Sequence, residues 1–456
     1  MNSKTIAEQF SEYASSLHYE DLPDEVVHRA KCLIIDTLGC ALGGYASDPV
    51  RIARELAANV TSKEPASLLC SGEKTSLDLA VFVNGVMIRY LDFNDGYTGK
   101  EAGHPSDSIA ALISTGEVMH ADGRALITAT VVAYEIFCRM CDTLNIKPMG
   151  FDHVTLGAMA SVTGAARLLG LTPEQITQAV NLTVAANVAL YQTRIGNVSM
   201  WKGCAYANAS RNAIFAAQLA KRGMTGPSPV FEGRAGYFTA VSRQPFELAP
   251  FGGGNQPFKI MECLIKKYPL GQYSQSVVEA ALLVRERIRS VRDIVEVHIH
   301  TLETAVSMMA GDPEKWRPSN RESADHSMPY AAAVALMHGR VDRTHFEDPY
   351  LHDPELLELV SRIRCSVSEE ANRREPEAML CDLDLTLADG RCEAVRVEYH
   401  RGHPRNPMSN DEVEGKFRRL ADGALTKRQS DMLLSQLWKL DELADVGDLF
   451  ALARID

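Results

Sequence analysis

"APFGGGNQPFKI", Ala249 to Ile260, is where the chain changes character. A run of three glycines flanked by prolines cannot continue a helix. Before it the apolar residues recur at helical spacing, and after it they begin to alternate. That change divides the molecule into a helical body and a second unit with strands.

Working back from the glycines, "DLPDEVVHRAKCLIIDTLGCALGG" starts after acids and Pro23 and keeps Val26, Val27, Cys32, Leu33 and Ile34 on an apolar face before a glycine pair. In "LTPEQITQAVNLTVAANVAL", Thr172 caps, Pro173 takes the first helical position and Gln175 completes a capping box. The stretches 77–90, 106–119, 124–140, 154–169 and 202–221 read the same way. Many are rich in alanine and apolar all round, as in helices packed inside a bundle.

Working forward, "IVEVHIHT" alternates Val295, Val297 and Ile299 with Glu296, His298 and His300, a period-two strand signal. "LCDLDLTLADGRCEAVRVEYH" reads as a hairpin turned near Asp389 and Gly390. The helical run 329–337 falls between them. Beyond residue 400 the pattern returns to helix, with Ser409 and Glu412 as a second capping box. The expected organisation is a helical domain from residues 1–254, an α+β unit at 255–400, and a helical return at 401–456 that rejoins the first domain.

A chain of 456 residues with net charge −12 shows no basic face for nucleic acid. No stretch is apolar for the length of a membrane span. "MNSKTIAEQFSEYASSL" lacks the basic start and apolar run of a secretory signal. Ten cysteines then read as reduced, buried thiols of a cytoplasmic protein. Cys138 and Cys141 form a lone CxxC without a second pair, so no metal site is expected.

The ionisable residues gather at helix starts. "YLDFNDGYTGKEAGHPSDSIAAL" crowds Asp92, Asp95, Lys100, Glu101 and His104 between two apolar helices. His104 precedes Pro105, which keeps it out of the helix, and Ser106 is placed to cap. Asp152 and His153 open another helix, Lys202 a third, and Asp325, His326 and Tyr330 a fourth. Lys266, Lys267 and Tyr273 stand before a fifth. Each alone is equally compatible with capping and solvation. Together they describe helix N-termini bearing basic and phenolic groups, suited to a small polyanion.

These segments, with "GFDHV", "MWKGCAYANASRNA", "KYPLGQYSQSVVEAAL", "ADHSMPYAAAVAL" and "GHPRNPMSNDEVEGKF", resemble the MmgE/PrpD family along essentially the whole chain. That family includes 2-methylcitrate dehydratase, cis-aconitate decarboxylase and iminodisuccinate epimerase. The resemblance implies a mainly α fold: a large all-helical domain from both chain ends, with a smaller α+β lid inserted. It also implies a homodimer and a cofactor-independent pocket between the two domains for a small carboxylate.

Carried over by motif, Asp92, His104, His153 and Lys202 line the pocket from the helical domain and Tyr330 from the lid. Lys266 or Lys267 takes substrate carboxylates, and His326 flanks Tyr330. Tyr273 stands where dehydratase members usually carry a histidine. The implied reaction is removal of a proton next to a carboxylate followed by loss of water, as in 2-methylcitrate dehydratase. His153, alone or with Lys202, is the expected base, and His104 and Tyr330 the expected acids or positioning groups. Decarboxylation or epimerisation in the same pocket is the alternative. A non-catalytic carboxylate-binding homologue is a lesser one, since the basic cluster is intact.

Overall fold

The computed structural model describes residues 4–455. It is mainly α, with one substantial sheet confined to a smaller domain.

The helices of the body are α1 (Ile6–Ser16), α2 (Asp24–Gly44), α3 (Asp48–Ala57), α4 (Leu77–Arg89), α5 (Ile109–Val118), α6 (Gly123–Thr143), α7 (Val154–Leu168), α8 (Pro173–Ala186) and α9 (Trp201–Lys221). Thr172 and Gln175 form the expected capping box at the head of α8. Helix α9 packs against both α4 and α7, and α6 lies against α7. Alanine and glycine on these helices let the backbones approach closely enough to leave their polar ends buried around one centre.

One apolar core runs through residues 6–265 and resumes at 413–453. The returning segment contributes α14 (Asn410–Ala421) and α15 (Lys427–Trp438), with α14 packed along α2. Lys416 on α14 reaches the buried Asp36 of α2, Nζ to Oδ1 2.6 Å. Its Nζ also donates to the carbonyls of Phe93 and Lys266. The C-terminal helices therefore pack into the same core as the N-terminal ones.

A second core is built from residues 268–397, with Ala102 of the body reaching into it. Its elements are α10 (Gln275–Arg285), β1 (Ile294–Thr301), α11 (Glu303–Ala310), α12 (Met328–His338), α13 (Pro354–Ser361), β2 (Ile363–Val367), β3 (Cys381–Leu387) and β4 (Cys392–Val397). The sheet order is β2-β1-β3-β4, with β1 parallel to β2 and the other pairings antiparallel. Along β1, Val297 and Ile299 are buried while Glu296, His298 and His300 are half-exposed, as the sequence alternates. Val295 departs from the expected pattern and is exposed, at a register shift between Ile294 and Glu296. The β3–β4 hairpin turns at Gly390, whose φ of +84° is a left-handed conformation that glycine adopts freely.

The two domains meet along the connecting segment. Gly96 and Leu264 exchange backbone hydrogen bonds of 3.2 and 2.8 Å, which ties the acid-rich loop to that segment.

Candidate active site

The site is assembled on the ends of α4, α7 and α9 and on two loops of the lid. Its centre is Asp92, three residues beyond α4, fully buried and held at φ +48°. That left-handed backbone is strained for a residue other than glycine, although asparagine and aspartate tolerate it best.

Arg89 donates from Nη1 to Asp92 Oδ1 over 2.5 Å, and Lys266 donates to the same oxygen over 2.6 Å. Lys202 Nζ lies 3.3 Å from Oδ2 and 2.5 Å from Asp325 Oδ1. Burial alone would raise the Asp92 carboxyl, but Arg89, Lys266 and Lys202 outweigh it and hold it well below its ordinary range. Lys266 is itself lowered to about 8, by burial first and by the neighbouring Arg89, against the pull of Asp92.

His326 of the lid closes this cluster. Its Nδ1 is 2.7 Å from Asp325 Oδ1, 3.1 Å from Asp92 Oδ2 and 3.0 Å from Lys202 Nζ. The two carboxylates require Nδ1 to carry the proton, which leaves Nε2 with the lone pair. Burial and then Lys202 lower the imidazole to about 4. Asp92, Asp325 and His326 offer ligand atoms within 4.8 Å of one another. Both carboxylates already face buried cations, so the set is ill suited to a further metal charge.

Two more histidines face the same space from the body. His104 Nδ1–H donates to the Asp95 carbonyl over 2.6 Å, leaving Nε2 unprotonated and 4.0 Å from Asp92 Oδ1. Burial, Arg89 and Lys266 drive its pKa well down. His153 is held by Asp152, Nδ1 to Oδ1 2.5 Å, and Asp152 accepts in turn from Arg194 Nε over 2.7 Å. Burial lowers His153, with Asp152 opposing it. Its Nε2 is buried and has no hydrogen-bond partner. The two rings meet edge to face, 5.6 Å between centroids. Gly103 makes that approach possible, because a Cβ there would lie 2.6 Å from His153 Cδ2.

The supporting loop differs from the sequence expectation at one point. Ser106 does not cap its helix; its Oγ and N–H both donate to Asp95 Oδ1, at 2.6 and 3.1 Å. Tyr134 donates to the other oxygen over 2.7 Å. Asp95 thus braces the start of the helix from across the loop, and burial raises its carboxyl to about 6. Asp107, beside Arg89, is raised by burial to about 7.

A cavity of about 40 Å³ sits where these groups converge. Arg89, His104, Lys147, His153 and Arg194 line it from the body, and Tyr273, Met308, Met309 and His326 from the lid. The space holds about one water molecule, far less than a tricarboxylate occupies. A larger cavity of about 890 Å³ lies beside it and shares Lys147 and Tyr273 as walls. Burial raises the Tyr273 hydroxyl well above its ordinary range, with Glu375 adding to the effect.

Of the residues expected from sequence, Asp92, His104, His153, Lys202, Lys266 and His326 come together, and Tyr273 joins them at the wall. Two do not. Tyr330 lies in the lid core, its hydroxyl donating to the His345 carbonyl over 2.8 Å, so it is not placed to act on a ligand in this cavity. Lys267 is exposed and turned toward the Tyr268 ring, while its neighbour Lys266 points inward. Arg89, Lys147, Arg194 and the two methionines were not anticipated. Only Arg89 carried a signal, its i,i+3 spacing from Asp92.

Known proteins resemble this chain along most of its length. Residues 8–249 match the MmgE/PrpD N-terminal domain and residues 268–441 the MmgE/PrpD C-terminal domain. The chain is 31% identical over 407 residues to 2-methylcitrate dehydratase of Cupriavidus necator, covering 82% of this chain and 81% of the relative. The same enzyme of Escherichia coli K12 is 30% identical over 418 residues, covering 85% and 84%. Human cis-aconitate decarboxylase is 25% identical over 467 residues, covering 100% and 95%. Among the described residues no helix is long and apolar enough to cross a membrane.

Proposed function

This chain belongs to the MmgE/PrpD family, and from that premise we propose that it is a hydro-lyase of the 2-methylcitrate dehydratase kind. The observation that carries the reading is His153: a neutral imidazole with Nδ1 fixed by Asp152 and a buried, unpartnered Nε2 lining the cavity. That is the geometry of a general base aimed at a carbon-bound proton.

The base takes the proton next to a substrate carboxylate. The C–H electron pair becomes the new C=C bond, the C–O bond breaks, and the departing hydroxyl leaves as water with a proton from a second group. In place of Tyr330 we assign that donor to His326, which lines the cavity and gives the proton from Nε2 in its imidazolium form. Three substrate carboxylates beside His326 offset the burial and the Lys202 charge that otherwise keep it neutral. Arg89, Arg194 and Lys147 are suited to hold the carboxylates and the charge that develops on one of them. His104 Nε2 is suited to accept from the substrate hydroxyl.

A homodimer belongs to the same reading. Leu190, Ile195, Met200, Trp201 and Phe215 are large apolar side chains exposed on α9 and the loop before it, next to the cavity residue Arg194. An apolar patch of this kind is suited to a second copy. The free cysteines are in keeping with a cytoplasmic setting.

The test is proton NMR in deuterated buffer of chelator-treated protein with 2-methylcitrate, cis-aconitate and iminodisuccinate-type acids. Loss of water from 2-methylcitrate, abolished by His153→Gln, is the expected result. Carbon dioxide release or deuterium exchange without dehydration would replace the dehydratase by its decarboxylase or epimerase relatives.

A further inference from the structure

The cavity walls are chemically unequal. From the body come Arg89, Lys147, Arg194 and two imidazoles, while α11 of the lid contributes the successive methionines Met308 and Met309. Met309 is fixed in the lid core, 1% exposed, with its Cε where a Cβ on Gly271 would come within 2.6 Å. Met308 is half-exposed and lines the cavity. Ala102, the body residue that reaches into the lid core, also lines the cavity.

The carboxylates and hydroxyl of a ligand have nothing to set against such a wall. Pressing a carboxylate on it costs hydration without returning a hydrogen bond. We propose that Met308, backed by Met309 and Ala102, is the subsite for an alkyl branch on the polycarboxylate, and that it selects a 2-alkyl acid over its unbranched counterpart. This deepens the dehydratase reading and rests on it for the class of acid. In 2-methylcitrate the branch lies on the carbon that loses its proton, so an alkyl subsite in the same cavity as His153 Nε2 fits that substrate. Methionine is flexible and polarisable, so the subsite accepts branches longer than methyl.

Each carbon buried there strengthens binding about fourfold. The experiment is isothermal titration of citrate, 2-methylcitrate and 2-ethylcitrate into wild type, Met308→Leu and Met308→Ser, with kcat/KM measured in parallel. Affinity rising about fourfold or more per carbon is expected in wild type and Met308→Leu, with the ratio falling toward one in Met308→Ser. The inference is overturned by equal wild-type affinities, by a ratio that survives in Met308→Ser, or by the absence of binding to all three acids. Graded binding without turnover would sink the dehydratase and leave the alkyl subsite standing.

Discussion

Asp152 holds His153 from behind: one carboxylate oxygen lies 2.5 Å from Nδ1, and the other accepts from Arg194 Nε over 2.7 Å. The same carboxylate therefore sets the ring's tautomer and anchors an arginine on the cavity wall. Burial first raises Asp152, but Arg194 and His153 overcome it and hold the carboxylate ionised. Asp152→Asn removes the charge that favours protonated His153. The acid limb of kcat/KM should move to lower pH, and kcat should fall by about 10²- to 10⁴-fold. A pH–rate profile checks this; a fall in kcat with an unmoved limb would show that His153 is not the base.

Lys266 is one of three buried cations around Asp92. Lys266→Met leaves the others in place but strips Asp92 of its closest ammonium. Breaking one partner out of a buried pair costs about 3 kcal/mol or more. Urea unfolding should show that loss at pH 7. Lys267→Met, one residue away on the surface, should fall within about 0.5 kcal/mol of wild type.

His400 gives a pH effect separate from the cavity groups. Its ring is fully buried, donates from Nδ1 to the Arg401 carbonyl over 3.1 Å, and leaves Nε2 without a partner. Burial lowers it to about 3. Between that value and the ordinary histidine range the unfolded chain binds the proton and the folded chain does not, so this group subtracts stability as pH falls. From pH 6.5 to 4 the loss amounts to about 3 kcal/mol. His400→Asn should flatten that part of the stability–pH curve relative to wild type, as read by urea unfolding across the range.

Gly123 marks where the C-terminal return docks. A Cβ there would come within 1.5 Å of the Leu440 carbonyl, and its N–H donates to Leu443 O over 2.9 Å. Gly123→Ala should force the C-terminal helices off α6 and lower stability by about 3 kcal/mol or more. Early proteolytic release of residues beyond about 400 would locate the damage. A variant with wild-type melting would mean that this contact is dispensable.

Local signals made much of this legible. The caps of α8 and α14, the alternation of β1 and the Asp389-Gly390 turn each rest on a few adjacent residues. His104 and His153 stood out because both open helices. Tyr330 misled for a physical reason: α12 is apolar all round, so its sequence does not say which side meets the lid core and which the cavity. Lys266 and Lys267 pose the same difficulty one residue apart. Arg194, Lys147 and Met308 lie in or beside loops and on a short helix, where no periodicity marks the inward face. Only long-range packing brings them together.

The ion pair between Asp36 and Lys416 also sets an order of assembly. About 380 residues of synthesis separate the two, which at ribosomal rates is roughly 20 to 80 s. Throughout that interval α2 is without the helix that covers it, and by its end every strand and helix of the lid has been made. The inserted domain, younger in sequence than the body around it, is therefore free to fold first. The body waits for its last helices with an apolar face open. For a cell making this protein, that waiting surface is where a nascent-chain chaperone would have the most to protect.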